Sequence, residues 1–469
     1  MTLWKKVFFS LAFILLIIVY FYHFADIPHF RYDEGNLIDV PYQLAYHAHF
    51  GSAALENGGD QTHYFHIHPP FYYVCLAAVF KLFGYGIEQA RLFSMFLAFL
   101  TIGCFYFLLR EMKVKDKSIY LIGVLSTPLF FVLAKTIRPE MMMALLFILS
   151  FLFLVRWEHR NKKLDLILGA VVTSLMMMTH MFGIPVLLLW VYSLLSNKKW
   201  KYLLFYMGAL VIPTIPYVLW IIKSWDAFTL QVIVDRGVAK IDILQKGLEV
   251  IQTTIFSKKV GLIAYALIFF SAIFVLNYNK IRTPLKQFVI WGVALFWLQF
   301  LLLPKFNELY VVLLIPLLFL IIALLVNNLL KWRKLLLFIC AGMIVVNMLG
   351  IAMIMHKYQK YSFHDYEVLL RNNVKFKAET KIMGNFSIIP VFHEAQFTGF
   401  QTYNNERSLF KAINEADFVV IDDFTRNNMS VTMNKYVISI KKKISEFYSP
   451  YYGSEGQHEN NLIEIYQKK

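Results

Sequence analysis

The sequence predicts an α-helical protein that crosses a membrane many times and ends in a small α/β unit. Three observations predict it. Of 469 residues, 58% are hydrophobic, and the mean hydropathy of +0.55 is far above that of a soluble domain. The apolar residues form about eleven separate runs, each near the length a helix needs to cross a bilayer. Lys and Arg gather in alternate loops, and polar, strand-like sequence begins only after Met355.

The runs lie near 7–25, 92–109, 118–134, 141–155, 164–179, 181–195, 202–222, 260–276, 287–303, 310–326 and 335–355. The first follows Lys5 and Lys6 and has no small-residue cleavage site, so it reads as a retained span, not a signal peptide. Loops 110–117, 156–163, 196–201, 277–286 and 331–334 are strongly basic and mark the cytoplasmic side, as do Lys5 and Lys6. The N-terminus is then cytoplasmic. Loops 26–91, 135–140 and 304–309, the turn at His180 and the C-terminal unit fall outside.

This charge rule decides an ambiguous segment. Residues 71–84 are apolar, but if they crossed together with 92–109, the basic loop 110–117 would land outside. At ~1.5 Å per residue they reach only about 21 Å, short of a ~30 Å hydrocarbon core. They read as a helix lying at the outer interface, anchored by Tyr72, Tyr73 and Phe80, and residues 36–50 fit a second one. A longer outer loop, 223–259, reads equally as a lid or as scaffold. The two expected domains are 1–355 in the membrane and 356–469 outside it. In the latter, strands are expected at 381–386, 417–422 and 462–466, and helices at 364–372, 408–415 and 434–447. No Gly-rich phosphate loop or nucleophile motif occurs there.

The net charge of +16 is accounted for by the basic loops, so it does not imply nucleic acid. Cys75, Cys104 and Cys340 all fall in apolar runs and neither form a disulfide framework nor show metal spacing.

Chemistry concentrates in the first outer loop. Asp33 and Glu34 are adjacent, so both cannot face one small target without repelling; one can act as a general base while the other binds an arginine, a metal or hydroxyls. The same acids also suit the start of a helix. His66 and His68 precede Pro69-Pro70; with His63 their spacing matches no strong metal-ligand signature, which leaves a divalent metal possible but unsupported. Hydrogen bonding, or phosphate binding as histidinium, fits them better. Arg91 closes the loop. Arg138-Pro139-Glu140, His180, and Lys305 with Glu308 and Tyr310 occupy further outer turns, placing all of them on the face of the carboxylate loop. Snorkelling and helix-start preferences compete as explanations for each turn.

Tyr32-Asp33-Glu34-Gly35, His68-Pro69-Pro70-Phe71-Tyr72-Tyr73, Phe83-Gly84 and Ala90-Arg91-Leu92-Phe93-Ser94 resemble the membrane glycosyltransferases of the GT-C type. The resemblance is to the protein O-mannosyltransferases and the lipid A aminoarabinose transferases. It implies a GT-C fold and a donor made of a sugar on polyprenyl phosphate. It also implies Asp33 at the catalytic position, with Glu34 beside it, and Glu140 at the second acidic position. Arg138-x-Glu140 looks like the family's basic-x-acidic turn. The late turn departs from the pattern, with Lys305 and Glu308 where an arginine commonly precedes tyrosine. His66, His68, Arg91, Arg138, His180, Lys305 and Tyr310 are the candidate donor-phosphate or substrate-binding residues. A polyprenyl phosphate leaves readily once its charge is met, so one carboxylate suffices for an inverting displacement onto an acceptor (lipid, glycan or protein) outside a bacterial cell membrane. The rivals are a flippase for lipid-linked glycans, which would show repeats and mid-membrane charges, and a membrane subunit with a partner-binding tail.

Overall fold

The computed structural model describes residues 3–30, 32–55, 60–234, 248, 250, 252, 261–281, 286–302, 308–359, 361–400, 406–422, 425–426, 431–449 and 461–468. Each expected apolar run is mostly helical over its described residues. In order the helices are α1 (Leu3–Phe21), α2 (Tyr32–His47), α3 (Phe71–Phe83), α4 (Ile87–Glu111), α5 (Lys117–Ser126), α6 (Pro128–Ala134), α7 (Glu140–Arg160), α8 (Lys163–Met177), α9 (Gly183–Ser196) and α10 (Trp200–Lys223). After α11 (Trp225–Phe228) come α12 (Gly261–Leu276), α13 (Lys286–Leu302), α14 (Leu314–Asn328) and α15 (Arg333–Tyr358).

Among the described residues, five helices are long and apolar enough to cross a membrane alone, or six if a bent pair is one span. That pair is α5 and α6, expected as one straight span over 118–134 but bent by 69°. Pro128 has no N–H to continue the ladder of α5 and instead starts α6, where a missing N–H costs nothing.

The charge pattern matches how the ends of the helices meet. At one end Arg333 pairs with Asp116 at 2.7 Å, Arg160 pairs with Glu111, and Lys199 Nζ donates to Asn161 at 2.6 Å. These residues belong to the basic loops. At the other end Arg138 pairs with Asp33, the Phe71 N–H donates to Met178 O at 2.9 Å, and the Phe363 N–H donates to Asp26 Oδ1 at 2.9 Å. Phe71 at the start of α3 and Arg91 just after it both belong to this second end. The thirteen residues of α3, about 20 Å long, therefore do not carry the chain to the opposite end. The expected anchors are different, however. Tyr72, Tyr73 and Phe80 are wholly buried, and the exposed apolar face of α3 is Val74, Leu82 and Phe83. Packing on α2 and α4 claimed the aromatic face, which sequence could not separate from an interfacial belt.

The C-terminal part begins with α16 (Phe363–Asn373) and forms a five-stranded sheet ordered β2-β1-β3-β5-β4. Its strands are β1 (Lys381–Gly384), β2 (Gln396–Gly399), β3 (Phe418–Ile421), β4 (Lys441–Ser449) and β5 (Asn461–Lys468). β1 runs parallel to β2 and β3, while β5 is antiparallel to β3 and β4. Alternation decides which face each residue serves. Ile382, Phe397, Val420 and Ile465 join the core that continues into the helices. Met383, Val419, Ile421 and Tyr466 face α17 (Glu406–Glu415) and α18 (Val431–Ile440). The helix expected over 434–447 stops at Ile440. Residues 441–449 become a strand because pairing with β5 satisfies their backbone, overriding local propensity. β2 was not expected from sequence.

Candidate active site at the first turn of α2

Asp33 and Glu34 occupy the first turn of α2, where acids favour the helix dipole. Their surroundings differ. Glu34 is fully buried and accepts from Arg91 Nε at 3.3 Å, Arg91 Nη2 at 3.0 Å and the Ile137 N–H at 2.8 Å. Arg91 Nη1 donates to Ala25 O at 2.8 Å and Pro28 O at 2.7 Å. Arg91 was expected to bind substrate. With no exposure and four bonds inside the protein, it instead ties the start of the first loop, α4 and the 135–140 turn together. Glu34 is locked into the same knot.

Asp33 keeps 53% of its side chain exposed, and its Oδ2 accepts from Arg138 Nη1 at 2.8 Å. Behind it, Arg138 Nε and Nη2 both donate to Glu140 Oε1, at 3.0 and 2.9 Å. Glu140 starts α7 after Pro139 and is buried; its Oε2 has no hydrogen-bond partner among the described residues. Burial works against the Arg138 charge, but Glu140 and then Asp33 outweigh it and raise its pKa further above the usual range. A guanidinium fork clamped by one buried carboxylate thus presents a second carboxylate to the outside. Such a group can accept a proton from a bound hydroxyl.

Two further polar groups lie close by: Tyr72, expected only as an interfacial anchor, and Lys135, which was not singled out. Burial, reinforced by Glu140, holds the Tyr72 phenol well above its usual pKa, so it stays a neutral O–H beside the carboxylates. Lys135 ends α6; burial, aided by nearby Arg91, lowers its pKa to about 7, and it donates to Tyr22 O at 2.7 Å. The visible signal was a lone lysine closing an apolar run, three residues before Arg138.

A second cluster forms where α3, the turn after α8 and the start of the 308–328 segment meet. The His180 ring lies 5.2 Å from Tyr310, 5.9 Å from His68 and 4.9 Å from Phe182. His68 also lies 6.3 Å from Tyr73, the neighbour of Tyr72. Sequence placed these three on one face, and the fold brings their rings together. Of the two roles expected for His66, hydrogen bonding is the one seen. His66 hydrogen-bonds Ser224 Oγ at 2.8 Å and lies 4.0 Å from the Trp220 ring, while its N–H donates to Gln231. Burial lowers its pKa to about 4, so it is no histidinium for a phosphate but a fastening between the first loop and the end of α10. Lys305 and most of loop 223–259 lie outside the described residues. Among those described, no three His, Cys, Asp or Glu side chains gather in a way that holds a metal.

Residues 67–220 match the family model described as dolichyl-phosphate-mannose-protein mannosyltransferase. The fold is similar to that of ArnT from Cupriavidus metallidurans in the apo state, with TM-score 0.65 at 13% identity, covering 98% of each chain. The likeness to ArnT bound to undecaprenyl phosphate has the same TM-score at 15% identity, over 97% of each chain. The Archaeoglobus fulgidus oligosaccharyltransferase in complex with Zn and sulfate matches with TM-score 0.54 and 12% identity, over 94% of this chain and 71% of its own. No curated protein matches by sequence. The chain thus shares the fold of ArnT, and a third of it, residues 67–220, matches the mannosyltransferase family model. The C-terminal unit meets α2 two residues after Asp33, where Gly35 packs on Phe386.

Proposed function

We propose that the protein transfers a sugar from a polyprenyl-phosphate donor to an acceptor hydroxyl at the outer face of a bacterial cell membrane, with inversion. The observation that carries this reading is the Asp33–Arg138–Glu140 chain, in which one carboxylate is held rigidly yet left half exposed. Asp33 Oδ1 takes the acceptor proton as the acceptor oxygen attacks the sugar carbon, and the polyprenyl phosphate departs with the bonding electrons. Arg138 uses three N–H bonds on the two carboxylates and retains capacity for a phosphate oxygen. Glu140 positions Arg138, and the ring cluster of His68, His180 and Tyr310 borders the donor. ArnT is known with undecaprenyl phosphate bound, which supports the lipid-phosphate class. In this orientation the N-terminus is cytoplasmic and the C-terminal sheet lies outside the inner membrane, as residues 356–469 of a two-domain chain.

The test is to incubate membranes containing the protein with radiolabelled polyprenyl-phosphate sugars and follow the label. It should move to a new molecule with the native chain and stay on the lipid with Asp33→Asn. Label that merely changes leaflet, still on its lipid, would replace the transferase by a flippase.

A further inference from the structure

Asn385 and Asp422 lie where two neighbouring parallel strands end. β1 sits between β2 and β3 and runs parallel to both. After β1, Phe386 and Ile388 join the core shared with the helices, whereas β3 is followed by α18, whose Val437 packs on the opposite face. The exits diverge, and in open α/β sheets such a divergence at the carboxyl ends of strands makes a crevice for a ligand. Here the turn that borders it, Phe386–Ile388, is covered by α2 instead. A Cβ on Gly35 would stand 1.8 Å from Phe386 O and 3.2 Å from Ser387 N. On its other side the Phe386 ring lies against Gly399 of β2, where a Cβ would meet it at 2.0 Å. Phe386 is wedged between the sheet and the turn of α2 that carries Asp33.

A bridge of three hydrogen bonds fixes this wedge. Asn385 Oδ1 accepts from the Ser387 N–H at 3.2 Å, and Asn385 Nδ2 donates to Asp422 Oδ2 at 3.1 Å. Asp422 Oδ1 accepts from the Thr425 N–H at 2.7 Å. Asn385 and Asp422 are each 2% exposed, so water does not compete for these bonds. The residue types suit their places. Asp422 faces two donors, and a carboxylate supplies two acceptor oxygens. Asn385 must accept on one side and donate on the other, which an amide does. Burying a carboxylate is costly unless it is hydrogen-bonded, and this one secures the turn that touches Gly35.

We propose that Asp422 and Asn385 are positioning residues for the transfer reaction, a role that rests on the transferase reading. They hold the 386–388 turn against Gly35 and so fix the turn of α2 from which Asp33 meets the acceptor. Three consecutive residues are then clamped from two sides. Glu34 is tied to the membrane part through Arg91 and the Ile137 N–H, while Gly35 is seated on the C-terminal unit. Between these anchors α2 cannot tilt, and Asp33 keeps its 2.8 Å bond to Arg138. A misplacement of about 1 Å costs a reacting group on the order of 10²-fold in rate.

Two readouts on the full chain test this. In nanodiscs without donor, hydrogen-exchange protection across residues 36–40, relative to the intrinsic rate, reports the seat of α2. In membranes supplied with radiolabelled polyprenyl-phosphate sugars, the transfer rate at saturating donor, per folded protein, reports Asp33. Asp422→Asn sets one amide NH₂ against another, and Asn385→Ala removes the bridge. Each should lower protection about tenfold or more and the transfer rate by on the order of 10- to 10²-fold, with donor KM unchanged. Exchanging the pair, Asn385→Asp together with Asp422→Asn, restores all three hydrogen bonds and should restore both readouts. In an Asp33→Asn background, Asp422→Asn should cost no further rate, because it acts through Asp33. Both single variants are first checked for a native unfolding temperature, and one that passes is enough. Native protection or a native rate in that variant, no recovery in the exchanged pair, or the full further loss on the Asp33→Asn background overturns the proposal. Protection that responds as stated, while the native chain moves no label, supports the seat of α2 and overturns the transferase reading alone.

Discussion

Asp33 and Glu34 are neighbours with the same charge, and each is paired with an arginine. One pair is wholly buried on both sides, while the other joins a half-exposed carboxylate to a guanidinium that is 9% exposed. The difference teaches what each pair is for. A buried pair with its hydrogen bonds filled has nothing left to offer a substrate and acts as a strut. A carboxylate held at one oxygen, with the other facing outward, is rigid and still available. Rigid placement of an accessible base is what proton abstraction requires.

The sharpest way to break this contrast is at the strut. Arg91→Met leaves the Glu34 charge buried and uncompensated, and should cost about 3–5 kcal/mol of stability. The unfolding temperature in detergent reports it, and a native value would mean the pair carries no structural load. At the exposed pair the loss should fall on turnover. Asp33→Asn should lower the transfer rate at saturating donor by on the order of 10²–10⁴ with the unfolding temperature kept. Near-normal turnover would end the assignment of Asp33 as base.

Arg138→Lys keeps the charge but loses the fork that bridges Asp33 to Glu140. A misplaced base should reduce kcat by on the order of 10- to 10²-fold. If donor KM rises while kcat holds, Arg138 serves the donor phosphate more than it serves Asp33. Gly35→Ala tests whether the C-terminal sheet holds the helix that carries both acids. Its new Cβ meets the backbone oxygen of Phe386, and overpacking of this kind costs about 1–3 kcal/mol. Unchanged stability and turnover would uncouple the sheet from the site.

The smallest effect expected is one of pH, at His66. Burial lowers its pKa to about 4 from an ordinary 6.5, so the unfolded loop takes up a proton before the folded one does. Its contribution to stability is complete above about 6.5 and declines as pH falls toward 4. Hydrogen-exchange protection across residues 60–70, taken relative to the intrinsic rate at each pH, should fall between about pH 7 and about pH 5, and less so in His66→Gln. An identical fall in both proteins would remove His66 as the fastening.

The GT-C fold was legible in the sequence because membrane crossing is written in local, one-dimensional terms. Apolar length and the alternation of Lys and Arg suffice, and the basic loops do meet at one end of the bundle. Local chemistry also made the motif around Asp33 and the Arg138-Pro139-Glu140 turn visible. What sequence could not decide is which of several like residues is buried and against what. Asp33 and Glu34 differ by one methylene and one position, yet a turn of about 100° on α2 aims one at Arg91 and the other outward. His66 and His68 are two residues apart, but only tertiary packing sends one to Ser224 and the other toward His180. Tyr72, Tyr73 and Phe80 fit lipid or core equally until α2 and α4 close over them. Residues 441–449 became a strand only because β5, arriving later in the chain, supplied the hydrogen bonds. Hydropathy and charge are properties of a segment, whereas burial and partnership belong to pairs of segments, so only the folded chain settles them.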